Sequence, residues 1–435
     1  MQRLLLILTL LATSIQAEAE DLLTLYQIAQ THDPVLLQAL ARKTASVESK
    51  YQSYARFLPT IEARAQSDRS RLFNKKATFQ GAGVQNFWVN TLAINLEQPV
   101  FRWENFVQLG QSENRIAQAE AEYLQERQRL MLRITEAYFD VLNAEDTVKF
   151  VDAERQAFAE QREQAERRME VGVAPITDVY EAQAAYDRAV ANQVVADNDL
   201  DDRKEALREI IGDFSGELAQ LAQDLPLQPP EPNAIDDWSR AAERANYAVV
   251  AAVNQAEVAR KNVELQVGGH LPQLDIVGNY NLTDNTSTFG LRGDSESIGL
   301  RVSLPIFSGG AVSSRIREAQ QQFVEARHRL LEVQRRAIRE VKDAFRGVNA
   351  AISQVRALEA AMRSAASALE ASEVGFSVGT RTIVDVINER RDLFQAKRDY
   401  ARARYDYLIN LVRLKQAAGD MSEAELGAIN ALLAS

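Results

Sequence analysis

The chain has 435 residues, no cysteine, three histidines and a formal net charge of -11. It therefore has no disulfide bonds and no lipid-anchoring cysteine, and its acidity argues against a nucleic acid as partner, because neutralising phosphates requires a basic face. His32, His270 and His328 are scattered without ligand spacing, and no Gly-rich phosphate loop or nucleophile elbow appears, so nothing points to an enzyme, a metal or a cofactor.

At the N-terminus, Arg3, the apolar run from Leu4 to Leu11 and Ala17-Glu18-Ala19 make the charged, apolar and small-residue parts of a secretory signal over residues 1–19, with cleavage after Ala17 or Ala19. The apolar run is too short to span a bilayer, and no later stretch approaches the ~20 apolar residues a membrane helix needs.

Residues 20–224 read as a first structural repeat. After Pro59 the helical pattern changes to alternation. Ile61, Ala63 and Ala65 alternate with Glu62, Arg64 and Gln66, and Leu92, Ile94 and Leu96 alternate with Ala93, Asn95 and Glu97. This predicts a strand pair over about 60–98. From Phe106 to Met169 there is no proline, and Leu130, Ile134, Ala137, Val141 and Ala144 recur at coiled-coil spacing. One continuous helix of that length would run on the order of 100 Å. It ends at the turn Val171-Gly172-Val173-Ala174-Pro175, from which a returning helix, 176–211, would lie antiparallel to it.

Pro226, Pro229, Pro230 and Pro232 mark a stiff linker over 225–233. A second repeat, 234–419, then restates the first. Leu304-Pro305-Ile306-Phe307 answers Gln98-Pro99-Val100-Phe101, the turn Val378-Gly379-Thr380 answers Val171-Gly172-Val173, and Gly419 answers Gly212. Its strand pair covers about 273–304, with Leu274, Ile276, Ile298, Leu300 and Val302 on one face and Asp275, Asn279, Ser297 and Arg301 on the other. The segment between Pro59 and Pro99 exceeds that between Pro272 and Pro305 by seven residues, a difference expected in a loop. Residues 420–435 form a tail.

The fold class expected is mainly α with a β-barrel part: duplicated long α-helical hairpins forming a coiled-coil tunnel, plus four strands. Strands of roughly ten half-apolar residues match tilted membrane strands, with Leu274, Ile276, Ile298, Leu300 and Val302 facing lipid. Four strands cannot close a barrel, and an open edge in lipid leaves backbone groups unsatisfied, so chains must associate. A non-conducting envelope spacer is the competing reading, against which the polar alternate face speaks.

The stretch Gly375-Phe376-Ser377-Val378-Gly379-Thr380-Arg381-Thr382-Ile383-Val384-Asp385-Val386-Ile387, followed by Ala403-Arg404-Tyr405-Asp406-Tyr407-Leu408-Ile409-Asn410, resembles the TolC family of outer-membrane export ducts. The likeness covers essentially the whole chain after the signal. It implies a homotrimer with a twelve-stranded barrel in outer-membrane lipid and a long periplasmic part. It further implies a periplasmic adaptor protein and an inner-membrane transporter or pump as partners, in drug efflux or type I secretion.

The resemblance also implies a periplasmic gate, with Asp385 as the inward acid, Arg381 as a linking cation and Thr177 and Asp178 as its partners. Asn388 stands where a second inward acid would be, and Phe376 where a tyrosine hydroxyl would join the link. On residues alone, Thr382-x-x-Asp385 also reads as a capping box, and both roles can hold together.

Overall fold

The computed structural model describes residues 20–433 apart from 79–80, 214–215 and 288. The expected secretory signal, 1–19, lies outside the described residues. The same order of elements, two helices, two strands, a long helix and a returning one, occurs twice along the chain. The first repeat runs α1 (Leu22–His32), α2 (Pro34–Ala55), β1 (Thr60–Thr78), β2 (Gly81–Phe101), α3 (Trp103–Glu170) and α4 (Ile176–Ile211). The second runs α5 (Ile235–Ala245), α6 (Tyr247–Val267), β3 (Gln273–Asn285), β4 (Arg292–Ser303), α7 (Ala311–Ser377) and α8 (Ile383–Ala418), followed by α9 (Glu423–Asn430). The long helices have 68 and 67 residues and the returning ones 36 each.

Glycine sets both ends of each returning helix. Gly172 and Gly379 adopt φ of 79° and 81° in the turns, and Gly212 and Gly419 adopt 83° and 82° after α4 and α8, values that a side chain with a Cβ rarely tolerates. Gly419 is the tightest of the four: a Cβ there would lie 2.4 Å from the Ala245 carbonyl oxygen and 2.8 Å from the Asn246 amide nitrogen. Gly419→Ala is therefore expected to destabilise the chain by about 1–3 kcal/mol, read as a lower midpoint in thermal unfolding, whereas Gly172→Ala meets nothing within 4 Å and carries only the dihedral strain.

The chain divides into two compact units. One comprises Leu40–Tyr123 with Ala248–Gln334 and holds all four strands. They form one sheet in the order β1-β2-β3-β4, every pair antiparallel. The seven extra residues of the first repeat are not loop, as expected, but strand. β1 and β2 have 19 and 21 residues against 13 and 12 for β3 and β4, and their pairing runs on past Asp68↔Val89, where β3 ends. This part has polar residues on both faces, so it lacks the alternation that signals a half-buried strand.

The other unit comprises the chain up to Ala39, Leu124–Tyr247 and the chain from Arg335 onward. Its core forms where α1 and the middle of α3 meet the ends of α4 and α8: Leu25, Tyr26, Leu130, Ile134, Leu207 and Leu408 are fully buried. Tyr138 meets Phe139 edge-on at 5.6 Å, and Phe139 stacks on Tyr405 at 5.7 Å. Burial pushes the Tyr138 and Tyr405 hydroxyls well above the usual tyrosine range, so both stay neutral. The Tyr138 hydroxyl donates to the Ala219 carbonyl at 2.7 Å, and that of Tyr405 to the Asp146 carboxylate at 2.7 Å. The α3 seam is buried within the chain at Leu130, Ile134, Val141, Ala144, Val151, Phe158 and Ala165. The α7 seam is covered only in part, for Val341, Val348 and Val355 are buried while Leu331 and Ala366 are exposed.

Candidate functional site: a two-faced sheet and a hairpin tip

Residues directly opposite in an antiparallel sheet share a face, and the faces alternate along each strand. The register therefore sorts the sheet. One face carries Ile61, Ala63 and Ala65 of β1, and next to them Leu96, Ile94 and Leu92 of β2. Across the β2–β3 pair it continues through Tyr280 and Leu282, and across the β3–β4 pair through Leu274↔Val302 and Ile276↔Leu300, with Ile298 opposite Gly278. The five strand residues expected to face lipid thus fall on one face. Ile298, Leu300 and Val302 are 79%, 72% and 70% exposed in the chain.

The opposite face is polar from edge to edge. The Asn279 amide donates to Asn95 at 2.7 Å, and that of Asn281 donates to Asn279 at 2.7 Å. Near the strand ends that join the helices, Arg102 makes a two-pronged contact with Asp275, Nε to Oδ1 at 2.9 Å and Nη2 to Oδ2 at 2.9 Å, and also pairs with Glu97. Asp275 is only 3% exposed. A buried carboxylate needs such a partner. This cluster joins the two repeats, and only the β2–β3 pairing, which no local pattern announces, could have pointed to it.

The two glycine turns come together at the other candidate site. Ala165 of α3, Ala182 of α4 and Ile383 of α8 form a small buried cluster, with Val179, Phe376 and Ile387 packed against it. The two alanines let the helices approach closely. The Arg168 guanidinium lies 4.7 Å from the centre of the Phe376 ring, a cation–π contact that uses the ring standing in place of a tyrosine. Arg390 of α8 donates to the Ala157 carbonyl at 3.0 Å and to Glu373 of α7 at 2.6 Å. The sequence reading did not single out Arg390 or Glu373, because an Arg seventeen positions from a Glu has no helical-spacing signature.

The predicted gate residues fall around this cluster but do not all touch. Asp385 and Thr382 form the capping box: the Thr382 amide and hydroxyl each donate to the Asp385 carboxylate at 2.8 Å, and the Asp385 amide donates to the Thr382 hydroxyl at 3.3 Å. The Thr382 backbone amide, then its hydroxyl, hold the Asp385 carboxyl below the usual carboxylate range. Within one chain, Arg381 makes no side-chain hydrogen bond or ion pair with Thr177 or Asp178 among the described residues; it is exposed and acts on Asp385 through charge alone. The join between the tips inside one chain is thus apolar at its centre, with Arg168 and Arg390 at its margin. Thr177 is exposed, and Asp178 and Asn388 are half-buried.

Among the described residues no helix is long and apolar enough to cross a membrane, and no group of His, Asp or Glu is placed to hold a metal. A sheet apolar on one outward face and polar on the other, on a scaffold of duplicated long helical hairpins, defines a channel-forming membrane protein of the β-barrel kind.

Comparison with known proteins makes the class specific. The chain belongs to the outer membrane efflux protein family, which it matches over residues 25–213 and 238–420, one segment per repeat. It is 36% identical to the outer membrane protein TolC of Vibrio cholerae over 420 residues, covering 95% of this chain and 94% of that one. It is 26% identical to the alkaline protease secretion protein AprF of Pseudomonas aeruginosa over 94% of this chain and 86% of that one. The outer membrane channel CmeC of Campylobacter jejuni has the same fold, with a TM-score of 0.80 at 14% identity, over 96% of this chain and 91% of that one. The protein is an outer-membrane exit duct for efflux or secretion, in a family of transport channels rather than enzymes.

Proposed function

We propose that three copies of the chain associate so that their four-stranded sheets close a twelve-stranded barrel, apolar face to lipid and polar face to a water-filled lumen. The observation that carries this reading is the open sheet. β1 and β4 are edge strands in the chain, and in hydrocarbon each unpaired amide or carbonyl costs several kcal/mol. Joining β4 of one copy to β1 of the next satisfies them. The purified protein should run as a heat-sensitive oligomer that fractionates with the outer membrane and conducts ions in planar bilayers. A monomer that is fully folded in detergent, or an oligomer that does not conduct, would sink this reading, the latter in favour of a non-conducting spacer.

The duct receives its cargo from a periplasmic adaptor and an inner-membrane transporter or pump. The kinship with TolC and with a protease secretion protein supports such an assembly, and the cargo is either small toxic compounds or polypeptides. An export assay in a strain lacking its own duct separates the two.

The hairpin tip is the gate. Asp385 presents one carboxylate per chain, and Asn388 leaves that ring without a second acid. Because the Asp385 carboxyl is held below the usual carboxylate range by Thr382, it stays charged as pH falls past the ordinary aspartate value of about 3.9. Block of conductance by multivalent cations should therefore persist into more acid solution than an unperturbed aspartate would allow. Titrating block against pH checks this, and loss of block well above pH 4 would remove Asp385 from the filter.

A further inference from the structure

The charge of the sheet is unevenly placed. From Arg69 to Asn90, the part of the first hairpin beyond Asp68, the chain carries Arg69, Arg71, Lys75 and Lys76 and no acid, in a protein of formal charge -11. The far end of the second hairpin has the opposite balance, with Asp284, Asp294 and Glu296 against Arg292. Register fixes where the first two cations lie. Arg69 is opposite Trp88 and Arg71 opposite Asn86, and by the two-residue alternation all four share the face of Ile61, Ala63, Leu92 and Ile94.

Arg69 and Arg71 lie eight and ten residues beyond Ile61 along β1, about 26 and 33 Å at ~3.3 Å per residue. On strands tilted by about 40° these lengths rise about 20 and 25 Å, against the ~25 Å height of the apolar band of an outer-membrane barrel. Arg69 and Trp88 therefore stand at the upper margin of that band, away from the strand ends joined to the helices. The Arg69 guanidinium is 5.9 Å from the Trp88 ring centre. Trp88 is 47% exposed, both arginines are exposed, and among the described residues neither pairs with an acid.

An aromatic ring at this level is an interfacial anchor, its body in the apolar layer and its indole N–H toward the headgroups. A guanidinium beside it meets whatever headgroup lies there. Arginine binds phosphate through a planar fork, two bonds at once, where lysine offers only a point charge. No acid lies between Arg69 and Asn90, so within that stretch no carboxylate offsets the two guanidinium charges. We infer that Arg69, Trp88 and Arg71, on the outward face of the β1–β2 hairpin, bind phosphate-bearing headgroups of the outer-leaflet lipid. The inference rests on the reading that the apolar face meets lipid.

The test uses the full chain extracted from membranes in detergent, probed by native mass spectrometry with bis-phosphorylated lipid A, dephosphorylated lipid A, inorganic phosphate and dextran sulfate, alongside planar-bilayer conductance. The expected result is binding of bis-phosphorylated lipid A at least tenfold tighter than the dephosphorylated form, no competition by millimolar inorganic phosphate, and at least a tenfold loss of binding in the double variant R69Q/R71Q with its conductance intact. Equal binding of the dephosphorylated lipid, competition by inorganic phosphate, tighter binding of dextran sulfate, or an unchanged double variant each overturns the inference while leaving the barrel reading in place. Failure of the wild-type protein to insert and conduct overturns both.

Discussion

Leu300→Arg or Val302→Arg should impair assembly, whereas Arg301→Ser, one residue away from each, should leave it intact. Leu300 pairs with Ile276 and Val302 with Leu274, so both leucine and valine sit on the apolar face, while Arg301 pairs with Asp275 on the polar one. Leu300 and Val302 lie toward the helix-joined ends of the strands, past Ile298, which is in register with Ile61. A lipid-facing arginine there therefore costs closer to the about 0–1 kcal/mol of the interface than to the roughly 2–4 kcal/mol of the midplane. Each variant places one such charge in every copy of the chain, so the penalty multiplies in the proposed barrel. At 301 the side chain already meets water. Its loss removes a cation facing the strand that carries Asp275, but that carboxylate keeps its two-pronged contact with Arg102. Heat-sensitive oligomer on unboiled gels and conductance in planar bilayers read the outcome. Equal tolerance at 300, 301 and 302 would mean that the faces have been assigned the wrong way round or that neither meets lipid.

The same comparison shows what could be read from the chain before its structure. Strand faces were legible at β3 and β4 because one face is apolar and the other is not, and a period of two fixes every side chain once one is placed. The glycine turns were legible because φ near +80° restricts the residue type. The far part of β1–β2 was not, since Arg69, Ser70, Arg71 and Asn74 carry no alternation; only pairing with β2 makes them strand. At the hairpin tip, the capping box was legible from a spacing of three. The contacts of Phe376 were not: its partners come from α3, α4 and α8, and sequence distance says nothing about which helix faces meet.

That tip contact sets the order of effects expected at the gate. Phe376→Ala should loosen the tip more than Arg381→Ser does. The ring packs on the cluster of Ala165, Ala182 and Ile383 and receives Arg168 over its face, while among the described residues Arg381 makes no such contact within its chain. Truncating a fully buried phenylalanine costs about 3–5 kcal/mol, and Phe376 is only half-buried, so about 2 kcal/mol is the figure to expect, the cation–π contact adding up to about 1 kcal/mol. An open tip shows as raised single-channel conductance. Phe376→Tyr keeps the ring and should keep the tip closed. Arg390→Ala should lie between them, because it removes the donors to Ala157 and Glu373 but leaves the apolar centre. Asp385→Asn acts elsewhere. It removes one negative charge per chain at the proposed ring, weakening block by multivalent cations and cation selectivity, and it also weakens the cap that Thr382 and Asp385 make together. The selectivity loss should exceed any rise in conductance. If instead Arg381→Ser opens the channel and Phe376→Ala does not, the link that holds the tip is polar and runs between copies of the chain, and the apolar cluster is only packing.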